Sequence, residues 1–239
     1  MDLKGKVAYI TGGTKGIGYG TAAVLLNAGM KVAISGRDFE TAQNAARSLG
    51  NESEIIGISS DVGDFENEQK AVQQIINHFG KLDVVLANAG VGIFSPVDQM
   101  TTEEWDSMMK TNLYGVFNTL KASVEALKKS EGYYITLASL AGTNFFENGA
   151  GYNATKFGVV GFTQAAMLDL RKYNIKVSTI MPGSVATHFN NHTPDENDSW
   201  KIQPEDIGQL VLDLLQMNPR TLPSKIEVRP SRPDRKPNN

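Results

Sequence analysis

The chain has 239 residues, 41% hydrophobic and 21% charged, the balance of a globular fold with a sizeable core. Its formal net charge of −3 leaves no electrostatic footprint for nucleic acid. It has no cysteine, which excludes disulfides, thiolate catalysis and cysteine-ligated metals, and its three histidines, His78, His188 and His192, show no metal-ligand spacing.

The start, Met1 to Lys6, runs into a strand-like segment without the apolar core of a signal peptide. No apolar run is long enough to span a bilayer. The expectation is a cytoplasmic enzyme with no membrane partner and no metal.

Val7 to Thr11 reads as a buried strand. It runs into Gly12-Gly13-Thr14-Lys15-Gly16-Ile17-Gly18, and a helix with Ala22, Ala23, Leu25 and Leu26 follows, ending near Gly29. Strand, glycine-rich turn and helix together suit a pyrophosphate. Glycine admits a close backbone approach, and the helix start offers N–H groups and partial positive charge. The spacing of Gly12, Gly16 and Gly18 is looser than the familiar G-x-G-x-x-G. Lys31 to Ser35 is a second strand. An acid at its end would read the free ribose 2′-hydroxyl of NAD. Here Gly36 and Arg37 stand there instead, and a guanidinium matches a phosphate with paired hydrogen bonds. With Lys15 adding a second charge, the expectation is NADP(H). Asp38 is expected to cap the next helix, which runs to about Leu49.

Glu54 to Ser59 is a third strand, followed by Asp61-Val62. Asp61 either meets the adenine or caps the helix from about Asp64 to Phe79. Lys81 to Ala87 is a fourth strand ending in Asn88-Ala89-Gly90, where Asn88 either binds ligand or ties strands together. From Thr102 to about Ser130 the apolar spacing is helical throughout. Asn112 lies inside it with Gly115 close behind, which hints at a kink or a close contact. Tyr133 to Ala138 is a fifth strand with Ser139 at its end. A helix to about Lys172 then carries Tyr152 and Lys156, four apart and so on one face. A neighbouring ammonium is expected to pull the phenol down from about 10 toward neutrality. Lys176 to Met181 is a sixth strand, ending in Pro182-Gly183-Ser184-Val185-Ala186-Thr187. His188 to Trp200 reads as a mobile loop, Pro204 to Met217 as a last helix and Lys225 to Arg229 as a last strand.

Strands alternate with helices throughout, the pattern of an α/β fold: one doubly wound Rossmann domain, residues 1–229, with a parallel seven-stranded sheet and helices on both faces. The tail, residues 230–239, reads as disordered. Ligands of such sheets bind beyond the carboxyl ends of the strands, and every unusual residue named above falls at that edge.

Thr11-Gly12-x-x-x-Gly16-x-Gly18, Asn88-Ala89-Gly90, Asn112, Ser139, Tyr152-x-x-x-Lys156 and Pro182-Gly183 match, in order, the motifs of the short-chain dehydrogenase/reductase family. The chain most resembles its single-domain NADP-dependent carbonyl reductases, including the 3-oxoacyl-carrier-protein reductases. The resemblance implies reduction of a ketone or aldehyde by hydride transfer. Tyr152 would be the general acid and base, and Lys156 would hold the nicotinamide ribose and tune Tyr152. Ser139 would bind the substrate carbonyl, and Asn112 would hold a water in a proton relay. It implies that Gly12, Thr14, Lys15, Gly16, Ile17, Gly18, Arg37, Asp61, Val62, Asn88, Ala89, Gly90, Tyr152, Lys156, Pro182, Gly183, Val185 and Thr187 line the cofactor. Phe145 and Phe146 would line the pocket of a small-molecule substrate, or else pack under their loop. A homodimer or homotetramer is implied as well. Two alternatives stand beside this: 3-oxoacyl thioester reduction, and a regulator that senses NADP without turnover. Against the first, the last strand carries Glu227-Val228-Arg229-Pro230-Ser231-Arg232 in place of the Asp-Gly-Gly end usual for those reductases, and the loop after Thr187 is short.

Overall fold

The structure, a computed structural model, describes residues 3–232. The last seven residues of the expected disordered tail lie outside the described residues. Seven parallel strands form one sheet in the order β3-β2-β1-β4-β5-β6-β7. They are β1 (Val7–Ile10), β2 (Lys31–Gly36), β3 (Ile55–Ser59), β4 (Val84–Ala87), β5 (Tyr133–Leu137), β6 (Lys176–Pro182) and β7 (Lys225–Val228). Between them run α1 (Gly16–Asn27), α2 (Phe39–Leu49), α3 (Phe65–Phe79), α4 (Thr102–Met108), α5 (Gly115–Ser130), α6 (Ala150–Leu170) and α7 (Pro204–Gln216).

The inner strands are buried on both sides because helices cover both faces of the sheet, whereas the edge strand β7 exposes Lys225 and Glu227. Ala8 and Ile10 of β1 join Val32 and Ile34 of β2 in a core under α1, α2 and α7. Val7 and Tyr9 point the other way, into a core with Ala71 and Ile75 of α3, Leu120 of α5 and Val159 of α6. The period-two alternation of a strand sends neighbouring residues to opposite cores. Local chemistry sets the helix starts. The Asp38 side chain accepts from Thr41 N at 2.8 Å, as expected, and Asp64 accepts from Asn67 N at 3.1 Å. Asp64, not Asp61, therefore caps α3.

Residues 102–130 do not form one α-helix. A π turn, Met109–Tyr114, separates α4 from α5. Its extra residue per turn rotates the chain at Asn112. Residues 188–200, expected to be mobile and irregular, hold two short 3₁₀ turns, Phe189–Asn191 and Glu196–Trp200. The loop is closed at its base by a bridge between Val185 and Ile202. Inside it Asp198 is buried and paired with His192 and, at 2.5 Å, with Lys201. Those two hydrogen bonds hold its carboxyl at about 2. Enough polar chemistry is concentrated here to order a segment with no apolar periodicity.

Candidate active site

Strand order reverses between β1 and β4, which opens a crevice at their carboxyl ends. The glycine turn fills one side of it. Gly12 has φ +62, and a Cβ there would lie 2.9 Å from Ala89 Cα. A Cβ on Gly18 would lie 2.6 Å from both Asn88 Nδ2 and the Gly12 carbonyl oxygen. Asn88 explains this tightness. Its Nδ2 donates to the Thr11 and Gly12 carbonyls at 2.8 and 2.9 Å, while Thr11 Oγ1 accepts from Asn88 N and Ala89 N at 3.0 and 3.1 Å. Of its two expected roles, Asn88 thus fills the structural one, tying the turn to β4.

No side chain caps α1, and its first turn holds no acid. A backbone cradle without side chains, opening on an uncapped helix start, fits an anionic pyrophosphate. Thr14 packs its methyl toward Gly36, and Ile17 is packed against the core, so both turn residues are fixed. Lys15 and Arg37 stand exposed at the same edge. Partial burial pushes Asp61 up, but the hydrogen bonds from Lys110 (3.0 Å) and Gly63 N (3.0 Å) and the charges of Lys110 and Arg37 reverse it. Its carboxyl ends below the usual range. Next to it, Val62 is buried against Gly115, with its carbonyl held by Asn118 Nδ2 at 2.9 Å. Across the crevice, Thr187 Cγ2 faces Gly16, while Gly183 N donates to Val228 O at 2.8 Å. Pro182 ends β6, and Val185 is held by its bridge to Ile202.

The second side of the crevice carries the titratable groups. Tyr152 and Lys156, both on α6, are 9% and 5% exposed. Lys156 Nζ donates to Leu137 O at 3.0 Å and lies 5.5 Å from the centre of the Tyr152 ring. Ser139 caps the turn after β5 through Ala141 N at 3.1 Å, and its hydroxyl is within reach of the Tyr152 phenol. Asn112 Oδ1 accepts from Val91 N at 2.8 Å, and its Nδ2 donates to Val91 O at 2.8 Å and Thr155 Oγ1 at 3.0 Å. It braces the β4 loop against α6. Gly90 sits between Asn112 and Lys156. Asn112, Ser139 and the Tyr152–Lys156 pair, separate in sequence, are thus brought to one place.

The electrostatics reverse one expectation. Burial pushes the Tyr152 phenol up to about 12, against the smaller opposing pull of Ser139. Burial also lowers Lys156, to about 8. Loss of hydration sets the direction of both shifts, and the ammonium donates to the Leu137 carbonyl rather than to the phenol. At neutral pH the phenol is protonated and the ammonium charged.

Phe145 and Phe146 both line a cavity beside Pro96, Gly149 and Asn153, with Phe145 84% exposed and stacked on Phe157 at 5.6 Å. Phe146 meets Phe94 edge-on at 5.4 Å. The rings that do face Tyr152 are Phe94 at 5.5 Å and Phe189 at 5.6 Å. Both were missed. The only signal in the sequence is an aromatic soon after the Asn88-Ala89-Gly90 motif and another soon after Pro182-Gly183. Among the described residues no cluster of acids and histidines suits a metal. No helix there is long and apolar enough to cross a membrane.

The fold and crevice define a dinucleotide-dependent oxidoreductase. The short chain dehydrogenase pattern matches residues 6–198, and the chain belongs to that family of NAD(P)-dependent oxidoreductases. It is 34% identical over 229 residues to an uncharacterised oxidoreductase of Staphylococcus aureus, covering 95% of this chain and 98% of the relative. An alcohol dehydrogenase of Thermococcus sibiricus complexed with 5-hydroxy-NADP superposes with a TM-score of 0.89 at 27% identity, covering 98% of this chain and 99% of the other. A 3-ketoacyl-(acyl-carrier-protein) reductase of Brucella melitensis complexed with NADH gives 0.88 at 26% identity, over 96% and 98%.

Proposed function

We propose that the protein reduces a ketone or aldehyde to an alcohol with NADPH, with Tyr152 delivering the proton. The carrying observation is a buried Tyr152 with the Ser139 hydroxyl within reach and Lys156 Nζ 5.5 Å from its ring, at the sheet edge that also carries the glycine turn. NADPH, when bound, supplies the hydride to the carbonyl carbon. Ser139 donates a hydrogen bond to the carbonyl oxygen and stabilises the charge that develops there. Tyr152 then gives that oxygen its proton, and the Lys156 ammonium beside it offsets the charge of the phenolate left behind. Asn112 positions α6 for this through its bond to Thr155. Arg37 and Lys15, exposed at the end of β2 and in the turn, support a 2′-phosphate and hence NADPH over NADH.

The similarity to a 3-ketoacyl-(acyl-carrier-protein) reductase supports a thioester substrate as a second reading. Of the basic residues that could dock a carrier, Lys128 is already tied to Glu125 at 2.7 Å. The exposed apolar surface of α5 and α6 supports a homodimer or homotetramer.

The test is Tyr152→Phe. Calorimetric titration should show NADPH binding as in the wild type, and tighter than NADH. Carbonyl reduction should fall on the order of 10²-fold or more. Turnover equal to the wild type would remove Tyr152 as proton donor.

A further inference from the structure

Phe189 packs beside Tyr152 and Phe94. Its ring is 5.6 Å from the Tyr152 ring and 6.4 Å from Phe94, tilted to both at 54° and 59°. It rests on bare backbone: a Cβ on Gly92 would lie 2.4 Å from Phe189 Cζ and 2.5 Å from Cε1. Phe94 is the hub of the group, edge-on to Tyr152 at 87° and to Phe146 at 77°. A seat of this kind, with ring edges on its walls and a glycine floor, is shaped for a flat apolar group. Phe189 is only loosely held there. It is 37% exposed, its N–H reaches Thr187 Oγ1 at 3.3 Å, and Asn190 beside it has φ 55. The fixed part of its loop lies elsewhere, at the Asp198–Lys201 ion pair and the Val185–Ile202 bridge. The ring can therefore leave while the loop stays anchored.

We propose that the Phe189 ring is an internal stand-in for the substrate. It occupies, between Phe94 and Gly92, the seat of an aryl group attached to the carbonyl, and it swings out as an aryl ketone enters. The inference rests on the carbonyl reductase reading and names its substrate class. An aryl ring in that seat points its carbonyl toward Tyr152 and Ser139. Phe94 and Gly92 become specificity-determining residues, and Phe189 becomes a competitor rather than a wall.

The experiment compares acetophenone with butanone as NADPH-dependent substrates of the wild type, Phe189→Ala, Phe94→Ala and Gly92→Ala. Binding of acetophenone to each NADP⁺-loaded protein is followed in parallel by saturation-transfer NMR. A displaced competitor predicts that Phe189→Ala lowers the KM for acetophenone and raises the aryl-over-alkyl preference about three- to tenfold. Phe94→Ala should lower that preference by a similar factor. Gly92→Ala should lower it too, since the added methyl occupies the floor of the seat. A wall predicts the opposite sign for Phe189→Ala: a higher acetophenone KM, or none of the tightening, overturns the proposal. If the wild type reduces neither ketone, the reductase reading fails. The NMR arm still decides the seat, because acetophenone must then bind more tightly to Phe189→Ala than to the wild type.

Discussion

Tyr152 and Lys156 show how far residue type alone carries an argument. Tyrosine and lysine four apart on a helix predict contact, and the contact is there. The direction of the tyrosine shift is not contained in the spacing, because it depends on how much water each group loses. With the phenol at about 12 and the ammonium at about 8, the phenol stays protonated well above neutrality, while the ammonium loses its charge first. Reduction should therefore hold steady below pH 8 and decline as pH rises through the Lys156 value, when the phenolate loses its cationic neighbour. A pH profile of kcat/KM that stays level up to the ordinary lysine range would sink this. The same displacement acts on stability. The folded value lies below the unfolded 10.5, so the unfolded chain binds more protons between 8 and 10.5, and stability rises with pH across that window. The contribution is on the order of 3 kcal/mol. It should vanish in Lys156→Met, measured by denaturant titration at several pH values.

At the scale of elements, the π turn between α4 and α5 is the feature that periodicity conceals. A single widened turn leaves the apolar spacing on either side intact, so a continuous helix is the natural reading of residues 102–130. Only the oddity of Asn112 pointed to something else, and the structure gives the reason: the turn aims its amide at Val91 and Thr155. Asn112→Ala would leave the Val91 N–H and carbonyl without their partner, costing on the order of 2 to 3 kcal/mol. The loss should appear as a lower urea midpoint with unchanged slope, together with reduced turnover. Unchanged stability would mean that solvent replaces the brace at no cost. The glycine turn, by contrast, was legible because all its determinants are local: a strand, small residues and a helix start. The Phe94–Phe189 seat was not, because two loops distant in sequence build it and neither has a pattern of its own. The polar loop at 188–200 hid its order for a related reason. Its order comes from the Asp198 contacts with Lys201 and His192, which carry no periodicity.

At the scale of the whole molecule, the alternation of strands and helices was enough to place seven parallel strands and to gather the motifs at one edge. What the molecule meets on its outer surface follows from packing left unfinished. Phe157, Gly161 and Leu168 fall on one stripe of α6, with Phe157 39% and Leu168 53% exposed and nothing within 4 Å of a Cβ placed on Gly161. Phe117 of α5 is 47% exposed, and Phe145 lies stacked on Phe157 at the top of the stripe. We read apolar surface in this quantity on two helices as an interaction face rather than scattered exposure. A bare glycine midway lets a partner helix approach closely, as a symmetric pairing of like helices needs. Light scattering should give a dimer or tetramer at micromolar concentration. Phe157→Glu combined with Leu168→Glu should give a monomer with unchanged circular dichroism, since neither side chain belongs to the buried core. The Tyr152 crevice opens on the far end of α6 from Leu168, so the monomer should keep its affinity for NADPH. A wild-type monomer would mean that these rings face water for another reason, and the assembly would have to be abandoned.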